Sequence, residues 1–150
     1  MFTVQFITAE EAFPLRRHHL RPQLPASRSR YAGDDHPASV HAGAFADSGS
    51  SEELVGVVSF LPRNQSGELT TREYQLNGMV TLPSVRNQGV GTRLADFGIA
   101  RLVELGATRV WCNGRTPSRS FYERLGFRVV GDEFITPGTG PHYRFIKDLS

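Results

Sequence analysis

One stretch constrains this chain more than any other: residues 79–94, M-V-T-L-P-S-V-R-N-Q-G-V-G-T-R-L. Its left half reads as the end of a strand, Leu76 to Leu82, stopped by Pro83, which has no N–H to give to a sheet ladder. Its right half reads as the start of a helix with Val90, Leu94, Phe97 and Leu105 on one face. Between them lies Arg86-Asn87-Gln88-Gly89-Val90-Gly91. A turn of this kind aims several backbone N–H groups from the positive end of a helix dipole, which is an anion site, for phosphate above all. Gly89 and Gly91 let a phosphate approach the backbone with no Cβ in the way. Two nucleotide motifs are excluded. A Walker-type loop needs a lysine where Thr92 and Arg93 follow Gly91, and a dinucleotide fingerprint needs a third glycine where Leu94 stands.

The rest of the composition narrows the setting. A chain of 150 residues suits one domain spanning 1–150. A net charge of +2 gives no electrostatic case for nucleic-acid or membrane partners, and Lys147 is the only lysine among many arginines. Cys112 is the only cysteine, so neither an intrachain disulfide nor a multi-cysteine metal site is expected, and no metal is assigned. The N-terminus has no basic region leading into an apolar core, and no run reaches the ~18 apolar residues of a membrane helix. A soluble, cytoplasmic protein is expected.

In chain order, Phe2 to Thr8 alternates as a first strand. Thr8 then caps a helix running to about Leu20, with Glu10 and Glu11 in its first turn and Arg16, Arg17, His18 and His19 as a cationic end. Adjacent histidines point to different helix faces, which argues against a metal pair. Residues 21–37 are irregular. Asp34, Asp35 and His36 there either recognise a cationic substrate or form a solvated turn. Val40 to Ala46, Leu54 to Leu61 and Arg72 to Leu82 form an antiparallel meander. The helix Gly89 to Leu105 ends at Gly106, a left-handed cap, and leads to a strand over Thr108 to Asn113, so these flanking strands should be parallel neighbours in a right-handed βαβ unit. A second helix starts with Thr116 as N-cap and Pro117 at its first position, and runs over Ser118 to Leu125. Phe127 to Thr136 and His142 to Leu149 close the sheet as an antiparallel pair.

The second motif is Ser120-Phe121-Tyr122-Glu123-Arg124-Leu125-Gly126-Phe127. Phe121 and Leu125 are core-spaced and Gly126 is a cap. Tyr122 lies on the flank of that stripe, where a phenol can donate a proton to a leaving group.

R-x-x-G-x-G after a strand ending V-T-L-P, followed by F-Y-E-R-L-G-F, resembles the GNAT superfamily of N-acetyltransferases over about residues 72–130. The resemblance implies an α/β (mixed α+β) fold: a central, mostly antiparallel sheet of about seven strands flanked by helices, with strands four and five parallel and splayed. It implies acetyl-CoA as co-substrate. Gln88 to Thr92 (Gln88, Gly89, Val90, Gly91 and Thr92) would hold the pyrophosphate, with Arg86 and Asn87 beside it. Met79, Val80 and Thr81 would pair with the pantetheine arm, a backbone N–H near Val80 would stabilise the oxyanion, and Tyr122 would protonate the leaving thiolate. The acceptor amine attacks directly, so no enzyme nucleophile is needed and Cys112 reads as a buried structural thiol rather than an acyl carrier. Many relatives place a glutamate on the strand before the cradle, where this chain has Gln75 and Asn77. The base is then a water relay, His142 or Glu73. The acceptor is a small-molecule or protein amine, its pocket built from residues 21–37, the strand near Tyr74 and the 136–143 loop. The protein is a monomer or homodimer. A catalytically degenerate acyl-CoA sensor and a purely structural α/β domain are the other readings.

Overall fold

A computed structural model describes residues 2–20, 25–49 and 51–149. Residues 21–24 of the expected acceptor segment lie outside the described residues. The chain runs β1 (Phe2–Phe6), α1 (Ala9–His19), β2 (Val40–Ser48), β3 (Ser51–Arg63), β4 (Leu69–Thr81), α2 (Val90–Glu104), β5 (Arg109–Arg115), α3 (Arg119–Arg124), β6 (Arg128–Thr136) and β7 (Gly140–Asp148). Thr8 caps α1 in a full capping box with Glu11, as its spacing predicts.

The seven strands form one sheet in the order β1-β2-β3-β4-β5-β7-β6. The meander and the parallel β4–β5 pair match the expectation. The insertion of β7 between β5 and β6 is new, because pairing order is set by which apolar faces meet and not by local pattern.

The main core lies between the sheet and α2, where Val90, Leu94, Ile99 and Leu102 pack on Phe60, Tyr74, Val110 and Phe145. Gly98 is the point of closest approach: a Cβ there would stand 2.0 Å from the Phe60 ring. Leu105, expected on this face, is instead exposed at the helix C-cap. The helix ends one residue before it, so its side chain leaves the stripe. On the opposite face α1 packs Ala12 and Leu15 against Val57 and Val80.

The larger departure is Arg16. Read from sequence as part of a cationic helix end, it is 1% exposed. Its guanidinium donates to both carboxylate oxygens of Asp34 (2.8 and 3.0 Å), to Ser29 C=O (3.2 Å) and to Ser59 Oγ (2.6 Å). His41 joins through Ser59 Oγ (2.7 Å) and Asp34 C=O (2.9 Å). Asp34 is thereby engaged inside the fold and is not available to a cationic substrate.

The second helix also starts differently. Thr116 to Ser118 form a 3-10 turn with no side-chain cap, and the Thr116 hydroxyl donates to Glu133 at 2.6 Å instead. The α-helical part begins only at Arg119.

Candidate active site

β4 and β5 pair at three positions only: Glu73 with Arg109, Tyr74 with Val110 and Gln75 with Trp111. Beyond them β4 stays on β3 while β5 follows β7, and a slot opens between the strands. A bulge drives the divergence. Ser59 pairs with Asn77 but Val57 pairs with Val80, so β4 carries one extra residue at Gly78-Met79. Gly78 has φ +65°, and a Cβ there would meet Tyr31 and Arg16 at 3.0–3.1 Å. The buried Arg16 network therefore backs the bulge directly.

The ladder fixes which amides face the slot. Leu82 N–H donates to Val55 C=O at 2.9 Å, and the pairs Gly56–Thr81 and Val57–Val80 continue that register. Successive residues alternate edges in an antiparallel pair, so Val80 turns its N–H to β3. Thr81 and, across the bulge, Met79 turn theirs to the slot. Near Val80, where the resemblance implies an oxyanion donor, the amide that faces the slot is thus that of Met79.

One half of the slot, about 410 Å³, runs along Met79, Val80 and Thr81 to the α2 N-terminus at Arg86, Asn87, Gly89, Val90, Gly91 and Thr92. Gly89 is the N-cap in the left-handed region (φ +78°), with no side-chain cap. Its carbonyl accepts from Arg93 N–H at 3.0 Å. The amides of Val90, Gly91 and Thr92 thus have no acceptor within the helix. Asn87 is also left-handed (φ 64°). Gln88 is the one residue of the expected set that does not line the slot; its amide donates to Ser84 C=O at 3.3 Å.

Gly91 tests whether this cradle fits a phosphate. A Cβ on it would meet Phe121 at 3.4 Å and Thr81 at 3.9 Å, both ordinary contacts. Nothing in the protein requires glycine there, whereas a phosphate on the bare amides would. Gly91→Ala is therefore expected to keep or slightly raise thermal stability, alanine being the better helix former. The same substitution should weaken acetyl-CoA binding about tenfold or more. A thermal melt beside a calorimetric titration reads both effects.

The other half, about 200 Å³, holds Tyr122 with Asn77, Asn113, Thr139 and His142. Tyr122 is 8% exposed and packs against the rings of Phe121, Phe127 and Phe145. Gly114 on β5 makes room, since a Cβ would lie 2.5 Å from the Tyr122 ring. Burial, then the neighbouring Cys112 thiol, pushes the phenol pKa well above its usual value. Cys112 is buried and pushed up likewise, chiefly by burial. His142 is 7% exposed, stacks on Phe134, and places Nδ1 2.7 Å from Gly140 C=O. A carbonyl only accepts, so in the neutral ring Nδ1 carries the hydrogen and Nε2 keeps its lone pair. Glu73 lies in the closed, paired part of β4 and lines neither half. Sequence reasoning missed His19, Leu20 and Arg115 on the slot wall. It also missed the Gly78 bulge, although a glycine inside a strand is the signal that marks one.

Among the described residues, no group of three or more His, Cys, Asp or Glu is placed to hold a metal ion. No described helix is long and apolar enough to cross a membrane.

Residues 6–127 match the model of the acetyltransferase (GNAT) family. The chain is 33% identical over 149 residues to the uncharacterized N-acetyltransferase YitI of Bacillus subtilis (strain 168), covering 99% of this chain and 97% of that one. Among solved structures, it superposes on a putative N-acetyltransferase from Lactobacillus plantarum with a TM-score of 0.78, at 17% identity over 99% of both chains. It also superposes on an aminoglycoside 6'-N-acetyltransferase complexed with coenzyme A, with a TM-score of 0.74 and 16% identity over 97% of this chain and 96% of that one. Sheet order, parallel β4–β5 pair and flanking helices follow that fold, and the chain belongs to the GNAT acetyltransferase family as one of its acyltransferases.

Proposed function

We propose that the protein transfers the acetyl group of acetyl-CoA to a primary amine by direct attack, with Tyr122 as general acid. One observation carries the reading: the bare α2 N-terminus and the buried Tyr122 phenol line two halves of one slot, which share Leu20, Met79, Arg115, Ser118 and Phe121.

The residues fit acetyl-CoA as follows. The amides of Gly89 to Thr92 donate to the pyrophosphate at the helix dipole, with Arg86 and Asn87 alongside. The free edge of Met79 to Thr81 pairs with the amides of the pantetheine arm as an added strand would. When bound, the co-substrate supplies an activated acyl carbon as its thioester. Met79 N–H donates to the carbonyl oxygen as negative charge grows on it. Tyr122 gives its proton to the departing sulfur. His142 Nε2 stands in the same half of the slot and takes the proton of the incoming ammonium, which favours it over Glu73 and over a bare water relay.

Thiol release from acetyl-CoA over a panel of primary amines tests this. Turnover of at least one amine is expected, and His142→Gln should slow it about 10²-fold or more at neutral pH, with the loss shrinking as pH rises and the amine deprotonates unaided. Acetyl-CoA binding with no thiol release for any amine would instead establish the acyl-CoA sensor.

A further inference from the structure

We propose that the acceptor is an amine that also carries a carboxylate, a free amino acid or an amino-acid-sized acid, and that Arg144 and Arg115 read that carboxylate. The proposal rests on the acetyltransferase reading above and names the substrate class of the same slot.

Charge is the first observation. Neither half of the slot is lined by an aspartate or glutamate. The residues outside the described set, at positions 1, 21–24, 50 and 150, include no acid either. Asp34, which the sequence offers for recognising a cation, is held by both its oxygens on Arg16. A polycationic amine entering here would lose hydration and find no counter-charge.

The arginines point the other way. Arg144 and Arg115 lie on β7 and β5, and strand alternation puts both on the sheet face that carries His142 and Asn113. Arg144 is half-buried. Its guanidinium lies 4.5 Å over the Trp111 ring, with Nε on Asn113 Oδ1 (2.7 Å) and Nη1 on Gln65 Oε1 (3.1 Å). Each of those partners is neutral. Nη2 makes no hydrogen bond and the group forms no ion pair among the described residues. The neighbouring Asn113 lines the Tyr122 half of the slot. Arg115 lines both halves, is exposed, and its one hydrogen bond among the described residues is a long 3.5 Å contact to Leu20 C=O.

A guanidinium held flat on an aromatic ring by neutral side chains keeps its charge with no anion to match it. Desolvation also lowers the Arg144 pKa, the direction expected of a cation that lacks a counter-ion. The planar fork matches a carboxylate in bidentate fashion. Two residues along β7 from Arg144, His142 meets the amine. The half lined by His142 and Arg115, about 200 Å³, has room for an amino-acid-sized molecule, and Asn113 on its wall holds the Arg144 guanidinium beside it. The phosphate end is served separately by the cradle and Arg86.

The test is thiol release from acetyl-CoA with matched acceptors: each of the common amino acids, its primary amide, its decarboxylated amine, and the polyamine spermidine. At least one free acid should exceed its amide and its amine in kcat/KM by about 10- to 100-fold. Arg144→Gln and, separately, the exposed Arg115→Gln should raise KM for that acid and collapse the acid-to-amide ratio. Acetyl-CoA affinity measured on the Arg144→Gln protein should match the unsubstituted protein, which shows that the slot is folded. Amides, decarboxylated amines or spermidine turned over as well as the acids would overturn the carboxylate and leave the acetyltransferase standing. An acid-to-amide ratio unchanged in both variants would do the same. No thiol release with any acceptor would overturn both.

Discussion

Replacing Tyr122 by phenylalanine is expected to lower kcat by about 10²-fold or more and to leave acetyl-CoA affinity and thermal stability nearly unchanged. The phenylalanine ring keeps the stacking on Phe145 and the edge contacts with Phe121 and Phe127, so the fold has no reason to yield. What is lost is one proton. Burial holds the phenol protonated across the working pH range, so it is always available as a donor. The same apolar surroundings raise Cys112, and they act alike on any thiolate leaving into this half of the slot. Burial therefore raises donor and acceptor together, and the phenol can pass its proton to the sulfur as the C–S bond breaks. Single-turnover kinetics separate the chemical step from release. A Tyr122→Phe protein with unaltered kcat would remove the general-acid role.

Arg16→Met is expected to destabilise the protein by about 3–5 kcal/mol, because it leaves the Asp34 carboxylate buried without its cation. Asp34 is only 10% exposed on its side chain, so solvent screens little of that cost. Combining Arg16→Met with Asp34→Asn should recover part of the loss, since no charge is then stranded. The network also has a pH signature. Desolvation, and beyond it the Arg16 cation, depress the His41 pKa below its usual 6.5. The stability this contributes is present above the unfolded value of about 6.5, and it is lost as pH falls toward the depressed folded value. Urea melts at pH 7.5 and 5.5 should show lower stability at the lower pH, with a smaller difference in His41→Gln. Because a Gly78 Cβ would fall against Arg16 and Tyr31, loosening this network should also disturb the β4 bulge and raise KM for acetyl-CoA.

The geometry of the candidate cradle was legible because its signals are local. A strand stop, two glycines and a helix start sit within sixteen residues, and Tyr122 lies in a short helix with its own cap glycine. Long-range pairings were not legible. Nothing near Arg16 marks it as buried, since its partners Asp34, Ser59 and His41 come from three other segments. For the same reason Asp34 reads as a surface acid until its partner is seen. The Thr116 cap failed because Glu133, on a strand formed later in the chain, offers its hydroxyl a charged acceptor. The Gly78 bulge and Gly114 carried a readable sign, a glycine inside a strand, whose meaning depends on what packs across from it.

One slot is expected to take the co-substrate with its phosphates on the α2 N-terminus and its arm along β4. A crystal structure of the protein with coenzyme A tests it most directly. The predicted result has pyrophosphate oxygens accepting from the amides of Gly89 to Thr92, pantetheine amides paired with Met79 and Thr81, and the sulfur beside the Tyr122 hydroxyl. Coenzyme A bound away from the cradle, or with its sulfur out of reach of Tyr122, would contradict it.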